Sequence, residues 1–151
     1  MTMQKREILL TIKDRHVQGG DSDSSELITT GTFEGTADDY CICYAEQDEA
    51  LKDCVTTLHV EGERRVTLVR TGSTTAEMIL EQHKRHNCHY NTPYGGFILG
   101  VYAKQITSRV LPDQACGALA FRYTLDFNSA NSTENELNIF FKEANPNVSH
   151  C

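Results

Sequence analysis

Between residues 83 and 96 the chain reads HKRHNCHYNTPYGG, with three histidines and one cysteine inside seven residues. Imidazole nitrogens and thiolates ligate zinc, so His83, His86, Cys88 and His89 are the first side chains to weigh for chemistry. A structural zinc site draws on two ligand pairs at set spacings, and no CxxC pair accompanies this run. A cysteine near a histidine also has the parts of a nucleophile and its base. The segment reads as a strand, however. There His86 and Cys88 share one face while His89 points to the other. The four side chains then cannot converge as a tetrahedral set, and Cys88 next to His89 diverges from it. The run therefore predicts no structural metal and no cofactor. Cys88 reads as a half-buried thiol acting as a small hydrophobe, and exposed His83 and His89 as groups that pick up a divalent ion only adventitiously.

Other catalytic patterns are missing. There is no GxSxG elbow and no cysteine-protease signature. There is no P-loop, and Thr92-Pro93-Tyr94-Gly95-Gly96 does not match the dinucleotide fingerprint. That pentapeptide reads as a tight turn, with Pro fixing φ and Gly supplying positive φ. The sequence leans away from an enzyme.

The elements that must position any site are short strands. Runs rich in Val, Ile, Thr, Tyr and Phe recur between polar turns, the signal of an all-β sandwich or barrel. Ile8, Leu10 and Ile12 alternate onto one face of residues 6–17, and Gly19-Gly20-Asp21 turns into a strand over 25–34 carrying Leu27, Thr29 and Phe33. DDYCICYAE groups Tyr40, Ile42 and Tyr44 on one face and Cys41 and Cys43 on the other. VTTLHVEGERRVTLVRTG reads as a hairpin turning at Glu61-Gly62-Glu63, with Leu58 and Val60 facing Val66, Leu68 and Arg70. Strands are predicted over 76–82, 86–92 and 96–110, the last broken in register at Gly100. FRYTLDF sets Phe121, Tyr123, Leu125 and Phe127 on one face, and ELNIFF does so with Leu137, Ile139 and Phe141. Thr74 to Glu77 also matches a helix capping box, but the stretch is short and flanked by strands, which favours strand. The prediction is one antiparallel, closed β-barrel of about eight to ten strands, because closure removes exposed sheet edges. The barrel domain spans 1–144, and residues 145–151 read as a disordered tail.

At 151 residues, 39% hydrophobic and 23% charged, the chain suits a single globular domain. Fourteen basic against twenty-one acidic residues leave a net charge of −7, which argues against nucleic acid and anionic membranes as partners. The N-terminus lacks the apolar region of about 7–15 residues that a signal peptide carries. A cytoplasmic protein is expected, with its six cysteines as free thiols rather than a disulfide framework.

Strand alternation then yields a candidate site. With Val66 and Leu68 inside the barrel, Arg70 lies inside as well, and a buried guanidinium must meet acceptors. One reading ties it to Glu46, Glu77 or Glu81. The other makes Arg70, His86 and Tyr90, with the inward Tyr44 and Tyr123, the lining of a pocket for a small ligand.

The chain resembles the YwiB-like bacterial proteins. The likeness rests on Thr56-Thr57-Leu58, Val60-Glu61-Gly62 and Val66 to Gly72, then on His86, Tyr90, Thr92-Pro93-Tyr94-Gly95, Leu99-Gly100-Val101-Tyr102 and Tyr123 to Asp126. The resemblance implies a calycin-like barrel akin to lipocalins, in a family of unknown function, and so implies no activity. His83, Cys88 and His89 are not features of that family, and the connection 47–54 lacks the glycines and threonines expected there. The leading expectation is a barrel that takes a small apolar or amphipathic ligand in its lumen. The alternative is a filled barrel acting as an interaction or structural module. The oligomeric state is not legible in the sequence.

Overall fold

The computed structural model describes residues 5–47, 49–51, 53–127 and 130–144. The segment 145–151, expected as a disordered tail, lies outside the described residues. Ten strands follow in order: β1 Arg6–Gln18, β2 Asp21–Gly35, β3 Tyr40–Ala45, β4 Val55–Glu61, β5 Arg65–Thr71, β6 Thr75–Glu81, β7 Arg85–Thr92, β8 Gly95–Leu111, β9 Cys116–Phe127 and β10 Ala130–Glu143. Each pairs antiparallel with its sequence neighbour, and β1 pairs with β10, closing the barrel. Two single-turn 3-10 helices, Glu49–Leu51 and Pro112–Gln114, interrupt the strands.

The alternation that predicts the strands also builds the core. Ile8, Leu10, Phe33, Tyr40, Ile42, Leu58, Val60, Val66, Val101, Leu119, Phe121 and Ile139 are all buried and form one apolar cluster. Within it the Phe33 ring stacks on Phe141 with centroids 5.2 Å apart and meets Tyr40 at 5.4 Å. Tyr40 reaches further and shares a hydrogen bond of 2.7 Å with Ser108. One end of the barrel is thus plugged by side chains. The β1–β2 turn places Gly19 and Gly20 at φ 58° and 92°, the conformation that lets a two-residue hairpin match strand twist.

Several strands run beyond their apolar signal. β2 begins at Asp21, pairing residue by residue with β1 from Gln18↔Asp21 inward, and β10 extends from Ala130. Residues 21–26 of β2 are exposed and all polar or charged. Backbone ladders hold them, and ladder hydrogen bonds leave no mark on side-chain hydropathy.

The break in β8 is not at Gly100. That residue stays in the ladder between Asn87 and Asp126, and the register shifts between Ala103 and Gln105. Gly100 serves an outer-face crossing instead. The Arg85 guanidinium lies over it to make a bidentate pair with Asp126 at 2.5 and 3.0 Å, and a Cβ on Gly100 would come within 2.1 Å of Arg85 Nη2. The bulge at Lys104 switches the inward parity of β8. Leu99, Val101 and Ala103 face in before it, and Ile106, Ser108 and Val110 face in after.

The cysteines also depart from expectation. Cys41, Cys43, Cys54 and Cys88 are free thiols, but Cys116 is disulfide-bonded, with its partner not among the described residues. Cysteine spacing along the chain did not carry this, because Cys116 opens β9 at the buried end of a hairpin and its neighbours are set by the fold. No helix of the described residues is long and apolar enough to cross a membrane, which says nothing of strands.

Candidate functional site

Register places a row of inward side chains across six consecutive strands. Tyr44 on β3 pairs with Thr56, Thr56 with Arg70, Arg70 with Ala76, Ala76 with Tyr90, and Tyr90 with Phe97. A second row crosses β1, β10, β9 and β8 through His16, Asn135, Tyr123 and Ala103. Together they make the interior of one barrel end polar, opposite the plugged apolar end.

Arg70 is the hub of the first row. Its Nη2 lies 3.3 Å from Glu46 Oε2, Nη1 donates to Tyr90 Oη at 3.3 Å, and Nε donates to Thr56 Oγ1 at 3.3 Å. Thr56 is fully buried and donates a hydrogen bond from its hydroxyl to Glu46 Oε2 at 2.5 Å. The Arg70 and Glu46 side chains keep only 17% and 9% of their exposure. The guanidinium therefore answers the cost of burying a charge through three separate acceptors. Glu46 lies just past β3 and was one of three carboxylates the sequence offered. Glu77 points outward, and Glu81 sits at the far end of β6.

Tyr44 and Tyr123 belong to the same interior. Burial pushes the Tyr44 phenol well above its usual range, the Glu46 carboxylate pushes it further, and Arg70 partly offsets both. Burial raises Tyr123 too, with Asp14 and Tyr44 adding to it. The alternation of Ile8, Leu10 and Ile12 continues inward to Asp14 and His16, two residues the sequence reading did not follow. His16 Nδ1 hydrogen-bonds Asn135 Oδ1. His16 Nε2 approaches Asp14 Oδ1 to 3.1 Å without hydrogen-bond alignment, since that buried oxygen has no hydrogen-bond partner. Burial raises the Asp14 carboxyl above its ordinary value despite the nearby imidazole.

His86 does not join this group. It faces the same way as Tyr90 but lies four residues along β7, and its Nε2 is 2.9 Å from Glu81 Oε1. Hydrogen bonds from His86 and then Lys84 lower the Glu81 carboxyl. Strand parity places His86 on the Tyr90 face, and its height along β7 places it with Glu81.

The histidine-rich run has a structural role. Cys88 is buried, with its thiol raised by burial, and its sulfur accepts from the Ile79 N–H at 3.4 Å where β6 and β7 part. His89 is exposed on the outer face. His83 sits in the turn at φ 64°, its N–H donating to Ala103 O at 2.8 Å, while Gln82 Oε1 accepts from Ile106 N at 3.1 Å. The Gln82-His83 turn thus supplies partners on both sides of the Lys104 bulge. Among the described residues no group of three His, Cys, Asp or Glu side chains is placed to hold a metal.

The fold matches the crystal structure of the ywiB protein from Bacillus subtilis with a TM-score of 0.83 at 18% identity, covering 94% of this chain and 95% of that one. That likeness shows the fold alone. No curated protein matches the chain. The model of DUF1934, a domain of unknown function, matches residues 10–139, and the chain belongs to that family.

Proposed function

We propose that the protein is a small-molecule binding barrel that admits an amphipathic ligand to its polar half. The observation that carries this is the asymmetry of its inward side chains. Phe97 and Phe127 face inward by register yet are 41% and 43% exposed, whereas inward Val60, Val66, Val101 and Phe121 are at most 1% exposed. Large apolar side chains left wet at one end of a barrel mark an open mouth, and pockets typically combine apolar walls with a few polar groups. Below that mouth Tyr90, Arg70, Thr56 and Tyr44 offer such groups. Arg70 is already held by Glu46, so the interior there is close to neutral and suits a polar rather than an ionic headgroup.

The apolar end is filled, so the ligand is confined to the upper lumen and must be small. Native mass spectrometry of protein purified without denaturant tests this. The expected result is a bound small molecule that Arg70→Met or a mouth-filling Leu125→Trp removes. Protein without an adduct, and without shifts of the Tyr44 and Tyr90 resonances across a panel of amphiphiles, would favour the filled barrel acting through its outer surface. The cytoplasm expected from the sequence fits the four free thiols but stands against the Cys116 disulfide, and cell fractionation decides the compartment.

A further inference from the structure

We propose a second binding site, on the outside of the barrel, for a free single-chain anionic amphiphile. Outward faces of β1, β10, β9 and β8 enclose a groove of about 660 Å³, within the range of small-molecule sites. Its floor is low because β9 presents Ala118 on the outer face, in register with Arg109 and Phe140, with only the Gly117 backbone beside it. Leu9 and Phe140 stand on one side and Leu111 on the other, and Phe140 and Leu111 are 46% and 53% exposed. Two large apolar side chains facing each other across small residues form a slot for an alkyl chain.

The charge at the rim identifies the headgroup. Arg109 pairs in register with Ala118 on the floor, and Lys142 pairs with Leu9 on the wall. Both are exposed and line the groove. Neither makes an ion pair among the described residues, whereas Arg6, Arg65, Arg70 and Arg85 each have a carboxylate. A third cation, Lys13, lies 5.8 Å over the Phe140 ring. Three cations around one apolar slot, on a protein of net charge −7, are a local reversal of its field that complements a carboxylate, sulfate or phosphate head. The same overall charge repels an anionic bilayer, which makes a monomeric amphiphile the occupant. A protein partner would need roughly 800 Å² on this side, and charged Lys13, Glu26 and Lys142 interrupt the outer face around Leu9, Ile28, Phe140 and Leu111. The site is independent of the lumen, since none of its lining overlaps the Arg70 row.

Dodecanoate at pH 8, below its micellar concentration, is the probe, read by titration calorimetry and by amide shifts. One equivalent should bind, shifting Ala118 and Phe140. Arg109→Gln with Lys142→Gln should weaken it about tenfold or more, as loss of charge-assisted hydrogen bonds does. Ala118→Trp, which fills the slot, should abolish binding, while Arg70→Met leaves it intact. Dodecyltrimethylammonium should bind at least about tenfold more weakly, the headgroup being the discriminator. Thermal melts of each variant establish that it folds. The proposal is overturned by equal affinity for the cationic detergent, by dodecanoate binding that survives Ala118→Trp, or by binding that Arg70→Met alone removes. Sedimentation showing a dimer that Ala118→Trp dissociates, or binding to anionic vesicles without binding to the monomer, would also overturn it.

Discussion

Arg70 Nη2 and Glu46 Oε2 lie 3.3 Å apart, with Thr56 bonded to both, so one threonine hydroxyl couples the charges of an ion pair inside the barrel. Removing one partner leaves the other buried and unanswered. Arg70→Met keeps most of the stem and should destabilise the empty protein by about 3 kcal/mol, read by denaturant unfolding. Adding Glu46→Gln should recover part of that loss, because the stranded carboxylate is then gone. A single Arg70→Met without penalty would show that the guanidinium is held for a ligand rather than for Glu46.

Asp14 should make the barrel more stable in acid than its charge alone suggests. Its folded-state pKa is raised by burial. The stability it contributes is therefore present below the unfolded value and is lost as pH rises through the folded one. Asp14→Asn should raise the melting temperature at pH 7, with the gain shrinking towards about pH 3, below the ordinary aspartate range. An unchanged melting temperature at pH 7 would mean that burial costs the Asp14 carboxylate nothing.

Inwardness was legible in the sequence and neighbourhood was not. Period-two alternation put Arg70, Tyr90, Tyr44 and Tyr123 inside, because one face of each strand is buried and a slip would expose the whole apolar set. It put His86 inside by the same rule, yet His86 answers to Glu81 at a different height. Height depends on the stagger between strands, which hydropathy does not encode. The bulge was misplaced for a related reason. A glycine is the visible sign of a break, but here Gly100 makes room for Arg85, and the bulge falls at Lys104, a residue with no such mark. Asp14, His16 and Thr56 were within reach, since each continues an alternation already read.

Three buried tyrosines give the protein an alkaline limit. Burial raises Tyr40, Tyr44 and Tyr123 well above the ordinary phenol value in the folded state. Their contribution is intact below the unfolded pKa near 10 and is lost as pH rises from there toward the folded values. Tyrosinate absorbance from these three should therefore appear together with loss of strand circular dichroism. Ionisation of Tyr40, Tyr44 and Tyr123 in a still-folded protein would contradict their burial.

The last prediction concerns the turn that begins the histidine-rich run. Gln82 Oε1 accepts the Ile106 N–H at 3.1 Å just past the bulge, so this side chain holds a backbone donor beside the register shift. Gln82→Ala should cost about 1–3 kcal/mol, the penalty for orphaning a part-buried backbone donor. His83 is held at φ 64°, a conformation that an L side chain resists by roughly 1–2 kcal/mol and glycine does not. His83→Gly should therefore be neutral or stabilising, although it deletes a histidine from the cluster. Chelator should leave the melting temperature of both the parent and this variant unchanged, since a structural metal contributes folding energy directly. A turn that serves the bulge and not a metal requires this opposition of signs. His83→Gly and chelator each lowering the melting temperature, with Gln82→Ala silent, would assign the run to a metal instead.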